Sequence, residues 1–255
     1  MVTEIRLQMP KLGTRKLYYL LEPKLKKYRV GRDKLFTILK ANHMLIKPKR
    51  QYHITTNSHH RFRKHKNLIE NLLIKEPEQV WVSDITYIGT RKNPIYLSLV
   101  TDAYSKKIMG YNVSDNLTAQ GTVAALKMAV KNRKYSERRL IHHSDRGLQY
   151  CGNEYQNLLK KNKISCSMTE KYDPYQNAVA ERINGILKHE FINGVSVNDK
   201  ELFGLFIENS IGIYNKQRPH YSCYMKTPDQ MHKQKNIKIR TYKMKKPQKE
   251  ISFCG

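Results

Sequence analysis

Acidic side chains are scarce in this chain: 21 Asp and Glu stand against 48 Lys and Arg, a formal net charge of +27 at pH 7. An imbalance of that size marks a polyanion-binding surface whose affinity comes from counterion release. It carries no information about fold. Cysteine is also rare. The four thiols, Cys151, Cys166, Cys223 and Cys254, show no C-x-x-C spacing and read as reduced thiols of a cytosolic protein. No apolar run approaches the roughly 18 residues of a spanning helix, and the N-terminus carries no signal-peptide core. Heptads are nowhere sustained, so no coiled-coil seam is available. The single tryptophan, Trp81, reads as core rather than as a platform for stacking bases.

The positive charge is uneven. Residues 1–75 hold 19 Lys and Arg against 4 acids, and residues 233–249 hold 8 against none. In the first segment Leu17, Leu20, Leu21 and Leu25 share one helical face, and after Gly31 a second short stretch carries Leu35, Ile38 and Leu39. Two short basic helices around a glycine-containing turn suit a helix-turn-helix-like unit over 1–46, with Arg32 and Lys34 as candidate DNA contacts. The plainer alternative is a basic hairpin that touches only phosphate. Residues 47–76 read as a basic linker along DNA, contributing Arg50, Arg61 and Arg63. The 233–255 tail reads as a phosphate-contacting segment, with a membrane surface as the weaker alternative.

From residue 77 the pattern changes. Three β-rich runs (80–87, 95–101 and 107–113) with short connections predict an antiparallel meander. Helices follow at 118–132, 153–162 and 177–190, and strands at 139–143 and 164–168. A last helix starts near Asn198, with Asn198-x-x-Glu201 as its capping box. The order implies an α/β layer fold with a mixed sheet over 77–232.

Three carboxylates punctuate that core: Asp84 in VWVSDITYI, Asp145 in HHSDRGLQY and Glu181 in NAVAERINGILK, with 35 residues between the last two. Asp84 lies in an apolar run, where burial is costly unless a cation meets it. Asp145 falls after a strand's carboxyl end, where open α/β sheets place ligands. Three converging acids suit a pair of hard divalent cations, Mg²⁺ or Mn²⁺, which can stabilise both oxygens of an in-line phosphoryl displacement. On the third helix Asn177, Glu181, Asn184 and Lys188 share a face at i, i+4, i+7 and i+11. Lys188 is then placed to hold a phosphate, with Asn177 and Asn184 as DNA contacts beside it. Asp102 reads as a turn cap. Glu170 lacks a helical partner and is a poorer third acid than Glu181.

WVSDITYI, HSDRGLQY, NAVAERINGILKHEF and YNKQRPHYSCYMKTPDQMH resemble the catalytic chain of a bacterial insertion-sequence transposase, the second-frame (OrfB) type whose core is shared with retroviral integrases. The resemblance spans about 79–232 and is looser across 13–66. It implies an RNase H-like core with Asp84, Asp145 and Glu181 as its acidic (DDE) triad and Lys188 as the basic residue downstream; His143 matches a family histidine, which either shapes the site or packs at the strand end. Gln176, Arg182 and Cys223 depart from the commoner residues without touching the triad. His43, His53, His59, His60 and His65 invite a zinc reading, but no cysteine precedes Cys151, so the His/Cys zinc domain of retroviral integrases is absent.

The expected function is metal-dependent cleavage and joining of double-stranded DNA, at insertion-sequence ends and target, by an oligomer in the bacterial cytoplasm and nucleoid. A nuclease of the same fold, using water only, and a catalytically dead DNA-binding regulator are the rivals. The segment VTEIRLQMPKLGTRKLYYLL lies, in the resembled group, inside a longer protein. The resemblance therefore implies an upstream-frame (OrfA) product as fusion or partner, which supplies the missing dimerisation seam.

Overall fold

Leucine spacing selects the first elements. The computed structural model describes residues 1–46, 65–88, 94–170, 177–192, 195 and 199–239. Three helices open the chain: α1 (Val2–Gln8), α2 (Thr14–Leu25) and α3 (Arg32–Ala41). Leu17, Leu21 and Leu25 lie buried along α2, and Leu35 and Leu39 along α3; Ile38 is exposed instead. A 3-10 turn, Lys26–Tyr28, closes α2, with Arg29 in the left-handed region at φ 53°.

The meander forms as expected from β1 (Val80–Tyr87), β2 (Tyr96–Asp102) and β3 (Ile108–Ser114). Then β4 (Leu140–Ser144) and β5 (Ile164–Met168) add in parallel beside β1, which gives the mixed order β3-β2-β1-β4-β5. Alternation along the strands presents two faces. On one, α4 (Ala119–Lys131), the short α5 (Leu148–Cys151) and α6 (Asn153–Lys161) pack over Trp81, Val100, Met109 and Leu140. Trp81 is wholly buried there. A Cβ at Gly110 would stand 2.1 Å from the Ala125 carbonyl oxygen, so glycine lets α4 lie this close to β3.

The other face carries α7 (Ala178–Ile186), which bears Glu181, a π-helical turn (Leu187–Ile192) and α8 (Lys200–Gln217). Leu97 and Leu99 of β2 meet Ile183, Leu187, Phe191, Ile207 and Tyr214 in one cluster. Leu12, Leu17 and Leu21 belong to the same cluster, so the N-terminal helices are bolted to this face rather than standing apart. Each such fully buried side chain stabilises the fold by about 1.5–3 kcal/mol.

Two boundaries differ from expectation. The helix predicted over 177–190 is α-helical only to Ile186 and then widens into the π turn. The cap of α8 is Asp199, which accepts from the N–H groups of Glu201 (2.8 Å) and Leu202 (2.9 Å); Asn198 lies outside the described residues. As N-cap, Asp199 satisfies two of the N–H groups that the first turn of α8 leaves without an intrahelical partner. The final short helix, α9 (Pro228–Met231), carries a full capping box of Thr227 and Gln230.

Candidate active site

Register places the first two acids. In the parallel pair of β1 and β4, Val82 is aligned with His143. Two residues further along each strand stand Asp84 and Asp145, the latter just past the end of β4. Neighbouring strands are about 4.8 Å apart, so two carboxylates at one level confront each other. The electrostatics record it. Burial first, then the Asp145 charge and more weakly that of Glu181, push Asp84 up to about 7, against the pull of two hydrogen bonds. Those bonds come from the Asn184 amide (2.8 Å) and the Ile85 N–H (2.9 Å). The Gly147 N–H donates to Asp145 at 3.0 Å, and a Cβ on Gly147 would stand only 3.0 Å from the same oxygen. Gly147, N-cap of α5, is a site residue that the sequence reading missed; its signal was a glycine two residues past an acid at a strand end.

Glu181 stands in the first turn of α7 and is exposed, its carboxyl raised by the partial desolvation it keeps there. It is near enough for its charge to be felt at Asp84, yet its influence there is the weakest of those acting. Among the described residues no three His, Cys, Asp or Glu side chains already form a metal cage. The structure thus brings Asp84 and Asp145 together and leaves Glu181 set back. Asp84 and Asp145 nonetheless fit a hard cation, since their mutual repulsion is what an added positive charge relieves.

The expected role of two asparagines changes. Asn177 and Asn184 are buried, not displayed to DNA. Asn177 is the N-cap of α7 and donates to the Ser83 carbonyl at 3.1 Å; Asn184 donates to Asp84. Their amides sew α7 onto β1, because a buried amide needs a partner. Lys188 lies in the π turn, half-buried, its ammonium 5.7 Å from the Tyr87 ring centroid. His143 is buried and shares a 2.9 Å hydrogen bond with Ser167 of β5, which places it in the sheet two residues before Asp145. Arg32 and Lys34 are exposed at the start of α3, although Arg32 is paired with Asp33 at 2.9 Å. Arg50, Arg61 and Arg63 lie outside the described residues.

Other motif residues are structural. Asp102 caps its turn by accepting from the Ser105 N–H (2.7 Å) and hydroxyl (2.6 Å). Glu170 accepts from the Asn67 N–H at 2.8 Å. The YNKQRPH segment is largely interior: Tyr214 bonds the Lys106 carbonyl at 2.8 Å, and Asn215 bridges the N–H and carbonyl of Ile108 at 3.0 Å each. The pair Ser83 and His142, 2.7 Å apart, resembles a nucleophile and its base. Both are buried, and burial drives His142 down to about 3, so no substrate meets them.

A mixed five-stranded sheet with one acid within its central strand, a second just past the adjacent strand's end and a third on a covering helix defines an RNase H-like α/β core of integrase type. Family models described as "Integrase core domain" match residues 75–174 and 162–228. A 31 kDa protein of insertion element IS600 from Shigella sonnei is 36% identical over 193 residues, covering 75% of this chain and 71% of that protein. Transposase InsF of insertion sequence IS3A from Escherichia coli K12 is 38% identical over 167 residues, covering 63% of this chain and 58% of InsF. Among solved structures, a simian T-cell lymphotropic virus intasome bound to a PP2A regulatory subunit matches in fold, with TM-score 0.52 at 18% identity, covering 92% of this chain and 79% of that one. The chain belongs to the insertion-sequence transposase family with an integrase core. The chain spans 58% of the length of the InsF transposase it matches. No described helix is long and apolar enough to cross a membrane.

Proposed function

We propose that this transposase cleaves and joins DNA strands at insertion-sequence ends, with divalent metal held by Asp84, Asp145 and Glu181. The observation that carries the reading is Asp84 facing Asp145, raised to about 7, with an amide, a backbone N–H and carboxylates as the groups acting on it. When bound, two Mg²⁺ or Mn²⁺ ions would activate the attacking oxygen and stabilise the leaving 3′-oxygen. The chain's own residues do the rest. Asn184 and the Ile85 N–H fix the Asp84 carboxylate, and the Gly147 N–H fixes Asp145, each leaving lone pairs over for a ligand. The attacking group is water for nicking or a DNA 3′-hydroxyl for joining, because the described serines paired with a histidine, Ser83, Ser105 and Ser167, are all sealed inside.

The DNA is held by the basic surface: Arg32 and Lys34 on α3, Arg50, Arg61 and Arg63 in the linker, and Lys188 beside the acids. Binding to element ends and target as an oligomer, with the upstream-frame product as fusion or partner, belongs to the same reading, as does a place in the bacterial cytoplasm at the nucleoid. The test is a strand-transfer assay on the element's own ends, pre-cleaved and intact. Joining in Mg²⁺ that EDTA abolishes is the expected result. Cleavage without joining would favour a nuclease, and binding with neither reaction a regulator. Full turnover in EDTA would sink the metal assignment.

A further inference from the structure

Glu190 stands nine residues past Glu181 on the same continuous helical run, inside the π turn. Its carboxylate accepts two hydrogen bonds from the Arg218 guanidinium, at 2.8 Å from Nε and 2.6 Å from Nη2. The Lys16 ammonium pairs with it at 3.6 Å, and its backbone carbonyl accepts from the Lys11 N–H at 3.2 Å. Lys11 and Lys16 belong to the N-terminal helical unit, and Arg218 follows α8. One side chain therefore meets the catalytic helix, the basic N-terminal unit and the segment behind α8.

The setting makes this junction stiff. Arg218 is 1% exposed, so its bidentate fork fixes direction as well as attraction. Burial opposes the Glu190 charge, but Arg218 and then Lys16 outweigh it and hold the carboxyl below its ordinary range. Burial, with Arg218 beside it, brings Lys16 down to about 8. Leu12, Leu17 and Leu21 also share one apolar cluster with Ile183, Ile186 and Leu187. An open groove of about 430 Å³ lies along α7, lined by Glu181, Arg182, Gly185, His189 and Glu190. A helix that widens into a π turn has its local register set by whatever grips the turn, and such turns recur at functional sites. Glu181 lies six residues before that turn on the same helical run, so a displacement of the turn is passed to it along α7.

We infer that Glu190 is a positioning residue that ties the N-terminal unit to the catalytic helix, so that DNA held by the first sets where Glu181 stands against Asp84 and Asp145. This rests on the reading that the N-terminal unit holds DNA.

Hydrogen exchange of the full chain, metal-free, with and without a duplex carrying the terminal repeat, tests it beside a joining assay. In the wild type the duplex should slow exchange over 14–41 and also over 178–192. Glu190→Gln should bind the duplex equally well and protect 14–41 but not 178–192, with joining at saturating DNA lowered by about 10²-fold, the scale of an ångström-level misplacement. Wild-type protection and joining in Glu190→Gln would overturn the inference. Should that variant not fold, Lys16→Met carries the test, and unchanged protection of 178–192 overturns it equally. If the wild type joins no DNA while the exchange pattern holds, the coupling stands and the transposition chemistry fails. If the duplex protects nothing over 14–41, the coupling fails.

Discussion

The two ends of β1 treat buried acids in opposite ways. At its start, Glu78 and Asp102 are wholly buried and fully partnered. Glu78 accepts from the N–H groups of Lys134 and Tyr135, both at 2.8 Å, and pairs with His232 at 3.2 Å. Burial alone would raise its carboxyl, but these partners hold it below its ordinary range. Six residues on, Asp84 meets a second carboxylate and is pushed up to about 7. Glu78 is the more deeply buried of the two and yet the one held low, so the difference lies in the partners. Cations and N–H groups satisfy the acids that fix the fold, and the acids left in mutual repulsion are the ones shaped for a charge from outside.

Removing the second kind should cost chemistry, not structure. Asp84→Asn, Asp145→Asn or Glu181→Gln should each lower cleavage and joining by about 10³-fold or more, on the scale of losing a group that stabilises developing charge. DNA binding in a gel-shift assay should stay intact or tighten slightly, since a negative charge beside the phosphates is gone. An active Glu181→Gln variant would defeat the assignment of the third acid.

The same carboxyl-to-amide change should have opposite signs at the two ends when stability is measured by urea unfolding in EDTA. Glu78→Gln breaks a buried pair with His232 and should destabilise by about 3 kcal/mol. Asp84→Asn removes a repelled charge and should stabilise by about 1–3 kcal/mol at pH 8. Equal signs would mean that the contrast between the two ends is false.

The pH dependence sharpens it. Asp84 in the folded chain titrates near 7 against 3.8 as its ordinary value, so between those pH values the folded state keeps a proton that the unfolded chain has lost. Wild-type stability should therefore fall across pH 4–7 relative to Asp84→Asn, and the gap should stay level above. His232 behaves oppositely. Burial works against its charge, but Asp102 and Glu78 raise it above its ordinary value of 6.5. Its contribution is fully present below about pH 6.5 and lost as pH rises through the folded value, so His232→Gln should cost most in acid and least in alkali. A His232→Gln deficit that grew with pH would reverse the assignment of charge.

Legibility followed the range of the physics. Strand alternation and helical spacing are local, and they located the sheet strands, α4 and α6 within a residue or two, while the leucine spacing picked out the buried face of α2. Asp84 and Asp145 were readable because a carboxylate in an apolar strand and another at a strand end each carry their own warning. The asparagines were misread for want of a long-range fact: only the docking of α7 onto β1 shows that Asn184 reaches Asp84 a hundred residues away. Nor could helical spacing reveal the π turn, which Arg218 and Lys16 grip from distant segments. The N-terminal unit looked separable because its own amphipathic pattern does not say what it packs against.

Lys188 offers the smallest and most diagnostic effect. Its ammonium is half-buried, 5.7 Å from the Tyr87 ring, and burial lowers its affinity for a proton. A cation over an aromatic face keeps its charge and a defined direction, which suits it to meet one phosphate of the bound strand. Lys188→Ala should weaken DNA-end capture by about 1–2 kcal/mol and make the plot of log affinity against log salt shallower by about one ion. Joining should fall in proportion to capture, whereas the Mg²⁺ concentration for half-maximal rate should not move, because the lysine touches phosphate rather than the acids. Titrating salt and metal separately distinguishes the two. An unchanged salt slope, or a defect that vanished when Mn²⁺ replaced Mg²⁺, would place Lys188 with the acids of the metal site and not with the DNA.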